Sequence, residues 1–184
     1  LALIIEDFEI IDKIKIAKDE LYRAMYFNLF DVNTGGFFKG IHIQDKTVIQ
    51  NTEADSSLVY LWKNKIFDIL DSKITATMKY ISEKLIVKSQ IGGIARKEND
   101  NYLRISDYNN PWVISTLWLS QYYFKINDIS RGKELLLWVL KHSDSTGLIS
   151  EQINPINGFS LSVKPLTWSH AEFINTINII TSLK

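Results

Sequence analysis

Residues 146–173 read TGLISEQINPINGFSLSVKPLTWSHAEF. The first part is rich in small, polar and turn-forming residues and carries a single carboxylate, Glu151. Pro165 closes that loop, and beyond it Ala171, Phe173, Ile174, Ile177 and Ile180 recur at helical spacing. The spacing predicts a helix with Pro165 in its first turn and Trp168 and His170 close behind. A Glu on a Gly- and Pro-punctuated loop beside aromatic residues is suited to holding a base next to a sugar ring. The same unit recurs upstream. Gly36-Phe37-Phe38, Gly93-Ile94-Ala95 and Gly147-Leu148-Ile149 lie about 55 residues apart, each after an amphipathic helix and before a more apolar one.

Helical periodicity runs through the rest of the chain. Ile10, Ile11, Ile14, Ala17, Leu21, Ala24 and Met25 predict an amphipathic helix over 9–30. An apolar run from near Glu53, with Leu58, Val59, Leu61 and Trp62, predicts a second. Ile74, Met78, Ile81 and Leu85 mark a third over 70–88. Pro111 stands at the N1 position of a fourth, and residues 131–142 form a fifth. A helix that is apolar nearly all round is expected to be buried. The pattern is all-α: three helical hairpins, with long loops over 31–52, 89–109 and 144–164 gathered at one end. Sites are usually built where such loops cluster on a rigid scaffold.

Composition narrows the function. The chain has 184 residues, 46% hydrophobic, enough for one domain with a core. Lys plus Arg equals Asp plus Glu at 21 each, so neither nucleic acid nor an anionic membrane is indicated as partner. There are no cysteines, and no apolar run approaches the roughly 20 residues of a membrane span. The opening LALIIEDFEI lacks the basic start of a signal peptide, which points to a cytoplasmic protein. It begins with Leu rather than Met, so a processed, truncated or fragmentary chain is expected. His42, His142 and His170 lack metal-ligand spacing, and no nucleotide-binding or Ser/His/Asp motif is present, so neither metal nor cofactor is expected.

Ser150-Glu151-Gln152 followed at a fixed interval by Leu166-Thr167-Trp168-Ser169 resembles the catalytic-base segment of glucoamylase-type glycoside hydrolases. Residues 92–123 resemble that family's substrate-binding loop and the helix after it, through Gly93, Arg96, Glu98, Tyr102 and Asn110-Pro111-Trp112. Glu53-Ala54-Asp55-Ser56-Ser57-Leu58 is similar to the family's Asp-Ala-Ser-Leu helix start. The resemblance implies a partial α/α toroid, about three hairpins of a six-hairpin α/α barrel, with residues 1–184 as the C-terminal half of the catalytic domain. It implies inverting hydrolysis of α-glucosidic substrates that releases glucose, and α-linked glucose oligosaccharides as ligands. Glu151 would be the general base, with Gln152 and Ser162 orienting it. Arg96, Glu98, Tyr102, Trp112 and Trp168 would bind the sugar.

The general acid has no match. In the family it lies in a Trp-Glu pair ahead of the Asp-Ala-Ser-Leu helix. Here no Trp-Glu pair occurs, and Leu61-Trp62-Lys63 has the wrong third residue. The nearby loop carboxylates, Glu53, Asp55 and Glu98, do not match the acid's position. The chain alone is therefore expected to be inactive, and an exposed apolar flank would be covered by a missing N-terminal half or by a second copy.

Plainer readings accompany each residue. Glu151 can be a solvated loop residue, Gln152 and Ser162 ordinary loop polar groups, and Arg96 with Glu98 a surface ion pair. Trp112 and Trp168 can be core residues, as Trp62, Trp118 and Trp138 are expected to be from their apolar stripes. At the level of the whole chain the rivals are a non-catalytic carbohydrate-binding remnant and a helical-repeat interaction protein. A trehalase or other glucosidase of the same fold is a related enzyme reading.

Overall fold

The computed structural model describes residues 8–183, so most of the LALIIEDFEI stretch lies outside the described residues. Six helices carry the fold: α1 Phe8–Asn28, α2 Tyr60–Lys63, α3 Ser72–Leu85, α4 Val113–Lys125, α5 Ile129–Lys141 and α6 Thr167–Thr181. Side-chain caps open two of them. Asp71 accepts the Lys73 N–H at 2.8 Å before α3, and Asp128 accepts the Arg131 N–H at 3.2 Å before α5.

Helices α4 and α6 have no such cap. Each is preceded by an extended residue, Trp112 or Leu166. Their N–H groups bond the carbonyls of Ile94 and Ile149 at 2.8 and 3.0 Å. Pro111 and Pro165 consequently stand one residue ahead of the cap rather than in the first helical turn. Extended backbone at Pro111 is what lets its carbonyl accept the Ile153 N–H at 3.0 Å.

The segment from Glu53 is not the long helix its apolar run predicts. A 3-10 turn, Ser56–Val59, opens on Asp55, which accepts the Ser57 N–H, and passes into the single turn of α2. Lys65, at φ 56°, then turns the chain away.

The long connections also contain antiparallel hairpins that helical periodicity could not reveal. These pair β1 Phe30–Asp31 with β2 Gly36–Phe37, β3 Gly40–Gln44 with β4 Thr47–Asn51, and β5 Gln152–Ile153 with β6 Ser160–Leu161. The β3–β4 turn is Asp45-Lys46, both with positive φ (48° and 65°), the geometry that matches strand twist in a two-residue hairpin.

The connections interlock by a repeated hydrogen-bond pattern. Ser56 N–H donates to the Arg96 carbonyl (2.8 Å) and Glu98 N–H to that of Ala54 (3.0 Å). One repeat later, Val113 N–H donates to the Glu151 carbonyl (3.1 Å) and Ile153 N–H to that of Pro111 (3.0 Å). Each loop thus lies along the start of the preceding inner helix. The connections at the other end, 64–71 and 126–128, are short. The result is a partial α/α toroid.

Helix α4 is its centre, buried from Val113 through Phe124. On one side Trp118 and Tyr122 join the core of Trp62, Ile74, Met78, Ile81 and Leu85. On the other, Val113 and Leu117 pack with Val139, Ile149 and Ile153.

Helix α6 departs from expectation. Although apolar nearly all round, it buries Ser169, Glu172 and Thr176 against α4 and leaves Ile174 58% and Ile177 37% exposed. The face that meets α4 finds Gln121, whose amide donates to Glu172 Oε2 (2.9 Å) and Thr176 Oγ1 (3.0 Å), while Phe173, Ile179 and Ile180 pack at the edge of the second core. Lys63 Nζ completes the cluster, 2.6 Å from Gln121 Oε1 and 2.9 Å from Glu172 Oε2. Helix α1 buries no residue at all. Among the described residues, no helix is long and apolar enough to cross a membrane.

Candidate active site

Glu151 leads directly into β5 and is tied into the loop cluster by its backbone. Its N–H donates to the Val163 carbonyl (2.9 Å), while its own carbonyl receives Val113 N–H. These bonds hold the residue at the mouth of α4 whatever its side chain does. Two groups then aim the carboxylate. Ser162 Oγ donates to Glu151 Oε2 at 2.5 Å and Gln152 Nε2 donates to the same oxygen at 3.2 Å. Ser162 reaches it from a left-handed conformation, φ 66°, just after β6.

Gln152 is fully buried, and its Oε1 accepts from Asn110 Nδ2 at 2.8 Å. That bond fixes which end of the amide faces Glu151, because a donor already occupies the oxygen end. Oε1 of Glu151 is left for an incoming donor. A half-exposed carboxylate with one oxygen held and the other presented is what activation of a water molecule requires.

Arg96 sits on the neighbouring loop. Its Nε and Nη2 donate to Asp100 at 2.9 and 2.7 Å, a two-pronged pair with Asp100 only 3% exposed. The Arg96–Glu98 pairing considered from sequence does not form. Glu98, where the segment has entered a turn, is engaged elsewhere: Oε2 accepts the Ala54 N–H at 2.7 Å and Oε1 lies 3.9 Å from Lys84 Nζ.

Trp112 is 4% exposed rather than an open platform, since Arg96 Cζ lies 4.4 Å over its ring and Tyr102 packs at 5.9 Å. It supports Arg96 from below. Tyr102 is 49% exposed beside the guanidinium, 5.6 Å away. Trp168, 46% exposed in the first turn of α6, meets Trp118 edge to face at 5.5 Å. Trp62 and Trp118 are core residues, and Trp138 is half-buried with Nε1 donating to the Ile91 carbonyl. His170 accepts the Ile149 N–H on Nε2 at 3.1 Å, a packing role.

The strand-like contact between Trp112 and Gln152 brings the Arg96 and Glu151 halves of this surface together. Asp55 bridges to Lys97 and pairs with Lys39 at 3.3 Å, which draws the first loop to the same end. Two residues that sequence reasoning did not assign emerge: Asp100, which holds Arg96, and Asn110, which holds Gln152. The four-residue spacing of Arg96 and Asp100 is the one signal that could have pointed to the former. Among the described residues, no group of three His, Cys, Asp or Glu side chains is gathered to hold a metal ion.

Residues 131–178 match the sequence profile of the glycosyl hydrolases family 15. An uncharacterised glycosyl hydrolase of Methanocaldococcus jannaschii is 33% identical over 152 residues, which cover 75% of this chain and 23% of that protein. The chain carries a region of glycosyl hydrolase family 15. Trehalase 1 of Sulfolobus acidocaldarius is 25% identical over 144 residues, 77% of this chain and 25% of that protein. The chain therefore spans about a quarter of the length of the curated relatives it matches. In fold it resembles a bacterial glucoamylase solved with acarbose, at TM-score 0.77 and 20% identity over 97% of this chain and 31% of that one. The glucoamylase of Saccharomycopsis fibuligera matches at TM-score 0.72 and 14% identity, over 98% and 52% of the two chains. The profile match spans the Glu151 loop and α6 as far as Asn178, and so includes the Ser150-Glu151-Gln152 and Leu166-Thr167-Trp168-Ser169 segments.

Proposed function

We propose that this family-15 region supplies the general base and part of the sugar pocket of an inverting glycoside hydrolase acting on α-glucosidic bonds. The observation that carries the reading is the Glu151 carboxylate, held at one oxygen by Ser162 and Gln152 and free at the other. Inversion needs that carboxylate to take a proton from water on one side of the sugar while an acid protonates the leaving oxygen on the other. Arg96, braced by Asp100 and Trp112, would orient sugar hydroxyls, and the exposed rings of Tyr102 and Trp168 would meet apolar sugar faces.

The proton donor is proposed to lie outside these 184 residues. Within them, Glu98 accepts from Ala54 N–H, Asp55 from Ser57 N–H and Lys39, and Glu53 lies 3.8 Å from Lys39. None of the three is placed across a sugar from Glu151 by any contact in the structure. The exposed apolar residues of α1 and α6 are the flanks where the remaining hairpins, or a second copy, would pack.

A second substrate is favoured by the relatives named as trehalases in Sulfolobus acidocaldarius and Mycolicibacterium smegmatis: α,α-trehalose, itself an α-glucosidic bond. Maltose, maltoheptaose and trehalose should be offered to the chain alone and to the chain joined by a Trp-Glu-bearing partner half. The proposal expects negligible turnover alone and hydrolysis when completed. Robust turnover by the 184 residues alone would move the acid into Glu53, Asp55 or Glu98 and contradict it. No hydrolysis of any of the three by the completed enzyme would leave a carbohydrate-binding role in its place.

A further inference from the structure

The start of α6 grips the segment that leads into Glu151. Leu166 N–H donates to the Ile149 carbonyl (3.0 Å), and His170 Nε2 accepts the Ile149 N–H (3.1 Å). One residue further along, Ser169 Oγ donates to the Ser150 carbonyl at 2.9 Å. We propose that Ser169 is a positioning residue for the Glu151 base, acting through the peptide that joins Ser150 to Glu151.

A serine or threonine inside a helix ordinarily returns its hydroxyl to a carbonyl three or four residues back. Two residues of α6 do so: Thr176 Oγ1 donates to the Glu172 carbonyl (2.8 Å) and Thr181 Oγ1 to that of Asn178 (3.0 Å). Ser169 instead leaves its own helix and bonds a segment 19 residues away. It is fully buried, on the face that Glu172 and Thr176 share. The interval between Ser150-Glu151-Gln152 and Leu166-Thr167-Trp168-Ser169 thereby acquires a physical meaning, because one motif holds the other.

The Ser150 carbonyl and the Glu151 N–H belong to one peptide plane. Ser169 bonds the carbonyl side, and the N–H side donates to the Val163 carbonyl at 2.9 Å. With both sides bonded the plane is held against rotation. The Cα–Cβ direction of Glu151 is thus set before Ser162 and Gln152 act on its carboxylate. A second buried serine repeats the device beyond the base, since Ser150 Oγ donates to the Gln152 carbonyl at 2.8 Å. Ser169→Ala would strip the buried Ser150 carbonyl of its side-chain donor, a loss recovered only by turning toward another donor or toward water. Either turn swings Glu151 away from Ser162. The hydrogen bonds stand on their own geometry; that the carboxylate they aim is a catalytic base rests on the glycosidase reading.

The experiment compares Ser169→Ala with Thr176→Ala, which removes an equally buried hydroxyl two turns along the same helix. Alanine is favourable in a helix, so both variants should fold. In NMR spectra of the 184-residue chain, Ser169→Ala should move the Glu151 and Gln152 amides and the Glu151 carboxyl carbon. Thr176→Ala should leave all three in place. In the completed enzyme Ser169→Ala should lower kcat about tenfold and change KM by less than about twofold, the pattern of a slightly displaced base. Thr176→Ala should leave kcat unchanged. Unmoved Glu151 signals in Ser169→Ala would overturn the positioning role. Equal losses of kcat in the two variants would also overturn it, leaving Ser169 a stabilising residue only. If the completed wild-type enzyme hydrolyses no α-glucoside, the glycosidase reading fails, and the NMR comparison alone decides whether Ser169 aims the carboxylate.

Discussion

Arg96 and Glu151 occupy the same position in successive repeats of this chain. The carbonyl of each accepts the N–H of the residue that opens or enters the preceding inner segment, Ser56 in one case and Val113 in the other. Two residues further on, Glu98 and Ile153 donate back to Ala54 and Pro111. One backbone device therefore delivers a guanidinium in one repeat and a carboxylate in the next to the same end of the toroid. The two repeats thus present different side chains on the same hydrogen-bonded backbone.

That scaffold makes Arg96 depend on Asp100. In Asp100→Asn one charged acceptor of a buried two-pronged pair becomes a neutral amide. We expect stability to fall by about 1–3 kcal/mol in urea unfolding, the usual cost of a lost charge-assisted hydrogen bond. In a completed enzyme KM should rise by roughly tenfold with less effect on kcat, as expected when a group that binds substrate loses its support. Glu98→Gln should spare KM, because Glu98 faces Ala54 N–H and not Arg96.

The polar cluster between α2, α4 and α6 yields a stability test. Lys63 and Glu172 are both largely buried and 2.9 Å apart. Lys63→Met should destabilise by about 3 kcal/mol, because it strands the Glu172 carboxylate, whereas Lys63→Met with Glu172→Leu should cost distinctly less. Chemical denaturation of the two variants distinguishes these outcomes.

The same cluster sets a pH dependence. Burial pushes the Glu172 pKa up, but the hydrogen bonds from Lys63 and Gln121 outweigh it, so the net shift is below the ordinary 4.5. A carboxyl whose folded pKa is depressed contributes stability that is complete above its unfolded value and is lost as pH falls through the folded one. Unfolding free energy should therefore drop as pH is lowered from about 4.5, and Glu172→Gln should flatten that part of the profile.

Much of the fold was legible because helix periodicity is a strong signal. The ends of α3 and α5 fall within two or three residues of the spacing-based expectation. The β3–β4 hairpin was not legible, since its turn is Asp45-Lys46 rather than a glycine-bearing pair. The short 3-10 and α2 stretch was over-read because Leu58, Val59, Leu61 and Trp62 are apolar on a helical spacing that only one turn uses. Periodicity also misled at α6, where the residues buried against α4 are polar and Ile174 and Ile177 look outward, while Phe173, Ile179 and Ile180 are only partly buried at the core's edge. At the site, Ser162 and Gln152 could be placed beside Glu151 only through resemblance. Their partner Asn110 and the Asp100 brace come from long-range contacts that no local pattern reports.

Ser162→Ala removes one of the two groups that aim the Glu151 carboxylate and leaves Gln152. A fall in kcat of about tenfold is expected in the completed enzyme, below the effect of losing the base itself. Stopped assays at saturating substrate would show it.

The central claim is that Glu151 activates water for a single displacement, and the product anomer together with Glu151→Gln tests it most directly. Proton NMR of the completed enzyme acting on an α-linked substrate should show β-glucose before mutarotation. Glu151→Gln, which keeps the volume and removes the base, should lower kcat by about 10²- to 10⁴-fold. Initial release of α-glucose, with near-normal kcat in the variant, would contradict both the residue and the mechanism.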